Sequence, residues 1–147
     1  MANGLFDYGR NLFARGEINW KQSGGSTIRA FMIDLTYYTA DLANHQFLSD
    51  IPVTARKGNS GGSARADAPQ LVLQNPVRGV CDALDIVFTG IPAGIILGAV
   101  LLFKDGGSDN ASPLIFWQDT TTGIPLTTNG ADITGEWSNG PNKIFKL

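Results

Sequence analysis

The chain has 147 residues, a formal net charge of −2 and a charged fraction of 16%. This length suits one domain with a sizeable core, and the low charged fraction excludes a solvated, disordered chain. A slight negative charge is also the wrong sign for holding phosphates, so we expect no direct binding of nucleic acid.

The first 16 residues predict the only helix of the chain. Asn3 can cap it, Gly16 can end it, and apolar side chains recur between them at helical spacing. This stripe either packs on its own domain or docks on another protein, and the sequence leaves both open. We therefore treat residues 1–16 as an amphipathic arm and residues 17–147 as a single β-sandwich domain. The candidate interface residues are Leu5, Phe6, Tyr8, Leu12, Phe13 and Trp20.

Most of the chain after the helix predicts short strands that alternate with turns. β-Branched and aromatic residues dominate the candidate strands, and turn pairs such as Asn129-Gly130 separate them. We therefore expect an all-β fold: an antiparallel β-sandwich or a barrel-like pair of sheets, in Greek-key or jelly-roll order. The predicted strands lie in residues 26–38, 51–57, 70–74, 77–90, 91–103, 112–120, 132–137 and 142–147.

The longest apolar run lies within the stretch TGIPAGIILGAVLLFKDGG, residues 89–107. A membrane-spanning helix needs about 20 apolar residues, and this run is shorter. Pro92, Gly94 and Gly98 also disfavour a helix, whereas Val100 and Phe103 favour a strand. The run predicts a strand buried on both faces, and we expect no association with a membrane.

Two regions show neither the spacing of apolar residues typical of a helix nor the alternation typical of a strand. Residues 39–52 are too polar for a strand and predict at most one helical turn. Residues 57–69, KGNSGGSARADAP, form a Gly/Ser-rich stretch. We expect this second region to be an exposed, mobile loop, or one that is ordered only by a partner.

Residues suited to catalysis are sparse. His45 is the only histidine and no Gly-x-Ser-x-Gly motif occurs, so a nucleophile with its base is not expected. Cys81 is the only cysteine and reads as a small buried hydrophobic residue. Asp105 and Asp109 lack the spacing of a calcium loop, and Asp82 and Asp85 lie on one predicted strand. We expect no enzyme activity, no cofactor and no metal.

The three tryptophans, Trp20, Trp117 and Trp137, leave two readings open. They could form a platform on which sugars stack, but tryptophans in strands more often anchor a core or an interface. We favour packing.

Three stretches together resemble small virion structural proteins of tailed bacteriophages. They are MANGLFDYGRNLFARGEINW at the start, HQFLSDIP in the middle and TTTGIPLTTNGADITGEWSNGPNKIFKL at the end. The resemblance implies a capsid decoration protein, with a head–tail or tail component and a virion-displayed glycan-binding module as alternatives. It also implies a homo-oligomer that meets the major capsid protein or other virion proteins. The start has no secretory signal, so we expect the chain in the virion and, during assembly, in the host cytoplasm.

Overall fold

The computed structural model describes residues 3–147, and it consists of short antiparallel strands, one α-helix and several single 3-10 turns. The helix α1 spans Asp7–Ala14. The strands are β1 Gly4–Leu5, β2 Ile28–Ile33, β3 Arg56–Lys57, β4 Val80–Cys81, β5 Ile86–Phe88, β6 Ile96–Leu97, β7 Ala99–Lys104, β8 Leu114–Gln118, β9 Leu126–Thr127, β10 Ile133–Gly135 and β11 Phe145–Lys146. The 3-10 turns are Leu48–Asp50, Val53–Ala55, Asn59–Gly61, Arg65–Asp67 and Asp109–Ala111.

The central element is a five-stranded sheet with the order β1-β8-β7-β2-β3. β7 pairs with β2 along its whole length, from Ala99 opposite Ile33 to Lys104 opposite Ile28. Three two-stranded sheets complete the structure, formed by β10 with β5, β11 with β4 and β6 with β9. The prediction of a strand within the longest apolar run is confirmed, because β7 lies at the middle of the five-stranded sheet and is buried on both faces.

A bulge between β7 and β8 joins the N-terminus to the sheet. The register shifts so that Leu102 faces Phe116 while Phe103 faces Leu114, which leaves Ile115 without an opposing residue. The backbone N–H of Phe6 donates to Ile115 O at 2.9 Å. The carbonyl at the bulge is therefore used to seat the segment that leads into α1.

Two apolar cores lie on opposite faces of the five-stranded sheet, as the two-residue period of strands requires. The first core takes Ala30 and Met32 from β2 and is completed by side chains from β4, β5, β6 and β11. The second core takes Phe31 and Ile33 from β2 and is covered by residues 38–55 together with Ala68. The irregular region 39–52 thus forms a layer of the fold, and its predicted helical turn is the 3-10 turn at Leu48–Asp50.

The prediction of an all-β, antiparallel fold with one short helix is confirmed. The five-stranded sheet is open, with β1 and β3 at its edges. No helix within residues 3–147 is long and apolar enough to cross a bilayer.

The structure corrects three predicted elements. In the predicted strand at residues 51–57, Val53–Ala55 form a 3-10 turn and only Arg56–Lys57 are a strand. Leu5 belongs to strand β1, and α1 starts only at Asp7 with Phe6 at the N-cap. Asn3 does not cap the helix; its side chain accepts the backbone N–H groups of Asp119 and Thr120, each at 2.9 Å. The predicted strand at residues 70–74 is irregular, because Leu73 has a φ of 54° and breaks the extended conformation.

Candidate functional site

The predicted interface residues lie mostly inside the domain. Leu5, Phe6, Leu12 and Trp20 are buried, whereas Tyr8 and Phe13 are half-buried and pack against the first core. The structure thus has the stripe of α1 facing its own domain, which is one of the two arrangements that the sequence left open. The burial gives a partner little access to these six residues in this conformation.

Aromatic rings fix the position of this N-terminal segment. The ring of Tyr8 lies 5.1 Å from that of Phe47, and the ring of Phe13 lies 5.9 Å from that of Phe145. Trp20 contacts the same Phe145 edge-on, with ring centroids 5.1 Å apart. Residues 6–20 therefore contact both the irregular layer and the last strand, and they are part of the packed body.

The single histidine has a structural environment. The backbone N–H of Asp41 donates to His45 Nδ1 at 3.3 Å, which makes that nitrogen an acceptor. Tyr38 Oη lies 2.7 Å from the same nitrogen and therefore donates to it. Burial raises the pKa of Tyr38 well above its usual range, and the nearby Asp50 carboxylate adds to this effect. The pair ties the start of the irregular layer together, and no nucleophile lies beside it among the contacts of the described chain.

The other candidate reactive groups are separated or enclosed. Asp82 accepts the N–H of Ala83, while Asp85 accepts the N–H of Trp137, so each carboxylate holds a different backbone segment. Burial raises the pKa of the Cys81 thiol to about 12, which leaves it protonated at neutral pH. The reading of Cys81 as a buried hydrophobic residue is confirmed. Residues 3–147 contain no group of His, Cys, Asp or Glu side chains placed to hold a metal ion.

The packing interpretation of the tryptophans is confirmed. All three indole rings are buried. Their N–H groups point to different acceptors: Trp20 to Asp82 O at 2.9 Å, Trp137 to Leu84 O at 3.0 Å and Trp117 to Asp119 Oδ2 at 2.9 Å. The structure therefore has no platform built from these three rings on which a sugar could stack.

Charged side chains from four parts of the sequence meet in one cluster, which we call the arginine–aspartate cluster. Arg56 is buried and donates from Nη1 to Asp109 Oδ2 at 2.7 Å. Arg29 donates from Nε to Asp105 Oδ2 at 2.9 Å, and Arg65 donates from Nε to Asp105 Oδ1 at 2.9 Å. A longer contact of 3.4 Å joins Arg65 Nη1 to Asp109 Oδ1.

The surroundings of Asp105 favour its ionised form. Burial raises the pKa of Asp105, but the N–H of Gly107 and the guanidinium groups of Arg65 and Arg29 outweigh that effect and leave the pKa below its usual value. The remaining donors of Arg56 go to the carbonyl oxygens of Leu48 and Ile51. The side chains of the cluster therefore form their hydrogen bonds within the chain, and the cluster joins loops to one another.

The arginine–aspartate cluster corrects the prediction for residues 57–69. This stretch contains two 3-10 turns, and Arg65 fastens it to the loop after β7. A second attachment lies at its other end, where Ser60 N–H donates to Thr89 O and Asn59 Oδ1 accepts the N–H of Thr89. Contacts within the chain thus order this stretch without a partner. Sequence reasoning missed this because Arg65 and Asp105 are 40 residues apart.

Exposed large apolar side chains are concentrated in one stretch of the chain, residues 72–87, which we call the apolar segment. Between residues 72 and 87, five large apolar side chains are 42% to 55% exposed. The N–H of Leu84 donates to Val72 O at 3.0 Å, so those two residues are neighbours across the segment. The backbone of Leu73 is left-handed, an uncommon conformation for leucine. The five residues are Val72, Leu73, Val77, Leu84 and Val87.

The sequence contained part of the signal for the apolar segment. Val87 lies between the buried Ile86 and Phe88 of β5, so an apolar side chain occupies the outward position of an alternating strand. A polar residue is usual at such a position when that face meets water. The apolar segment is therefore the best candidate for an interaction surface on the described chain.

Comparisons with known proteins do not extend this description. The chain matches no protein-family model and no curated protein sequence.

Proposed function

We propose that this chain is a structural protein of a bacteriophage virion and that it acts as a capsid decoration protein. The observation that carries the proposal is the apolar segment, which exposes five large side chains on a chain whose one cysteine is buried. Exposed apolar patches mark surfaces that meet other proteins. The resemblance of residues 1–20, 45–52 and 120–147 to virion proteins of tailed phages also supports this proposal.

Decoration requires a rigid body that contacts several capsid subunits at once. A homo-oligomer gains affinity for a symmetric shell because later contacts become intramolecular, by a factor of about 10² to 10⁴. Rigidity is supported by the two cores and by the arginine–aspartate cluster. In this proposal the chain folds in the host cytoplasm and resides in the virion, with the major capsid protein as its partner.

We also propose that the fold is a variant of a β-sandwich. The three two-stranded sheets would form the second layer against the five-stranded sheet. In support, the first core contains Met32 of β2 together with Cys81 of β4, Phe88 of β5, Leu97 of β6 and Phe145 of β11.

The test uses particles of the phage that encodes the chain, prepared with its gene deleted. The double variant Val72→Ser and Leu84→Ser should fold but should no longer co-sediment with the particles. A matched control carries Val53→Ser and Ile96→Ser, which change side chains of similar exposure, 56% and 58%, outside the apolar segment. This control should bind as the wild type does. Equal binding of both variants would remove the apolar segment from the proposal, and no binding of the wild type would reject decoration.

Copy number separates decoration from the tail alternatives. A decoration protein occupies repeated positions on the head, whereas a head–tail or tail-tip component is present in few copies. Densitometry of the protein in purified wild-type particles, measured against the major capsid protein, gives the ratio. A ratio that corresponds to a single vertex would favour the head–tail component.

A further inference from the structure

A shallow groove of about 400 Å³ lies beside β4 and β11 and has an excess of positive charge. Arg78, Lys143 and Lys146 line it, and Asp82 is the only acidic side chain among the described residues of its lining. Asp82 Oδ2 lies 4.0 Å from Lys143 Nζ, so one cation is weakly paired. No described residue accepts from the side chains of Arg78 or Lys146. These unpaired cations lie together on a chain of net charge −2.

Two of the three cations occupy unusual backbone positions. Arg78 has a φ of 54° and Lys143 has a φ of 48°. Arg78 and Gly79 form the two-residue turn between Val77 and Val80, which exchange two backbone hydrogen bonds of 2.9 Å. Such a turn requires positive φ at both central residues and favours asparagine or glycine at the first. Formation of this turn therefore does not by itself explain an arginine at position 78, and left-handed backbone at residues other than glycine concentrates at binding sites.

The chemistry of the lining selects among anionic partners. Val77, Val80 and Pro141 supply an apolar surface between the cations. None of the described residues in the lining is aromatic, so unstacked bases have no ring on which to stack. A polyphosphate would leave the apolar surface without a partner.

We infer that this groove binds an acidic segment of a partner protein, with carboxylates at the three cations and an apolar side chain against Val77 and Val80. Positive potential in a groove attracts and orients an acidic partner, whereas the apolar contact adds affinity that salt does not screen. The inference stands independently of the proposed function, because it rests on the groove and not on the identity of the particle.

The test measures fluorescence anisotropy with a labelled peptide of glutamates that carries one central leucine. The wild type should bind this peptide more tightly than a labelled peptide of lysines. The double variant Arg78→Asn and Lys143→Asn should lose about tenfold in affinity, and asparagine keeps both backbone conformations accessible. A control, Arg15→Asn with Lys21→Asn, removes the same charge from exposed positions and should bind as the wild type does.

Four results would overturn the inference. The first is that the wild type does not bind the acidic peptide, and the second is that the groove variant and its control lose affinity for it equally. The third is that a labelled oligothymidylate binds more tightly than the peptide. The fourth is that inorganic phosphate at the peptide's own concentration displaces the peptide completely. Replacement of the central leucine by serine should weaken binding, and an unchanged affinity would contradict the apolar contact. Because Val72 and Leu84 do not line the groove, this test and the particle-binding test can fail separately.

Discussion

Arg56 is only 2% exposed, yet its guanidinium donates to Asp109 Oδ2 at 2.7 Å and also to two backbone carbonyls of the layer over the second core. Ile51 O accepts from both Nε and Nη2 of this side chain. A single arginine thus joins the irregular layer to the loop after β7. Because its acceptors lie in a region without strand pairing, this side chain replaces the hydrogen bonds that a sheet would supply.

Replacing Arg56 by methionine should destabilise the protein by about 3 kcal/mol, because it leaves Ile51 O buried without a donor. Methionine keeps the apolar stem, so the loss reports on the hydrogen bonds. Urea unfolding followed by tryptophan fluorescence measures the change. Lys57→Met is the control, since that lysine is less buried and donates only to Thr54 O, and its effect should stay within about 0.5 kcal/mol. Equal effects of the two substitutions would contradict this role of Arg56.

Replacing Arg65 by alanine should release residues 58–67 with little loss of global stability. The pair with Asp105 is partly exposed, so its loss should cost about 1 kcal/mol or less. Hydrogen exchange should become faster at the amides of Asp67 and Ala68, whose acceptors lie in this stretch. The control is Arg15→Ala, which breaks an exposed pair with Glu17 and should leave that exchange unchanged. Unchanged exchange in the Arg65 variant would show that the other contacts of the stretch, such as those of Asn59 and Ser60 with Thr89, order it without Arg65.

Acid should weaken the fold partly through Asp105. Its pKa is lower in the folded protein than its ordinary value, so protons bind more tightly to the unfolded chain. The stabilisation is therefore complete above the ordinary carboxylate pKa of about 3.9 and is lost as the pH falls through the folded pKa. Urea midpoints of the wild type and Asp105→Asn should differ most near neutral pH and converge in acid. A difference that stays constant with pH would show that Asp105 does not titrate as described.

The sequence predicted the parts of this fold that depend on neighbouring residues. The apolar run at β7 and the mostly apolar stretch at β2 carry their signal within six residues each, and both are strands. The order of residues 57–69 depends on contacts with Thr89, Asp105 and Asp109, which no local pattern encodes. The apolar residues at the N-terminus have helical spacing, but this spacing does not show whether they pack on their own domain or on another protein.

The sequence predicted the apolar segment and the groove less well, because both depend on backbone conformation and on contacts between distant residues. Residues 70–74 have strand-forming composition, yet Leu73 adopts a left-handed backbone, which the composition does not predict. The cations of the groove are contributed by the turn at Arg78 and by residues near the end of the chain. Their proximity follows from the pairing of β11 with β4, a contact between distant parts of the sequence.

Cys81 should resist modification while the protein is folded. Its thiol is buried and its pKa is raised to about 12, so little thiolate forms at neutral pH. Dithionitrobenzoate should react slowly with the native protein and quickly after unfolding in urea. The control is Cys81→Ser with Val77→Cys, which moves the thiol to an exposed position on the adjoining hairpin and should react at once. Fast reaction of the native wild type would mean that the first core opens readily near β4.

Replacing Gly9 by alanine should destabilise the protein, although alanine favours an isolated helix over glycine by about 1 kcal/mol. A Cβ at Gly9 would lie 2.3 Å from Leu114 O, so α1 would have to move away from β8. We expect a net loss of about 2 kcal/mol in urea unfolding, together with faster hydrogen exchange in residues 7–14. Asn11→Ala changes an exposed position of the same helix and should be neutral or stabilising. If Gly9→Ala proved as stable as the wild type, the helix would not be seated on β8, and its apolar stripe would again be available to a partner.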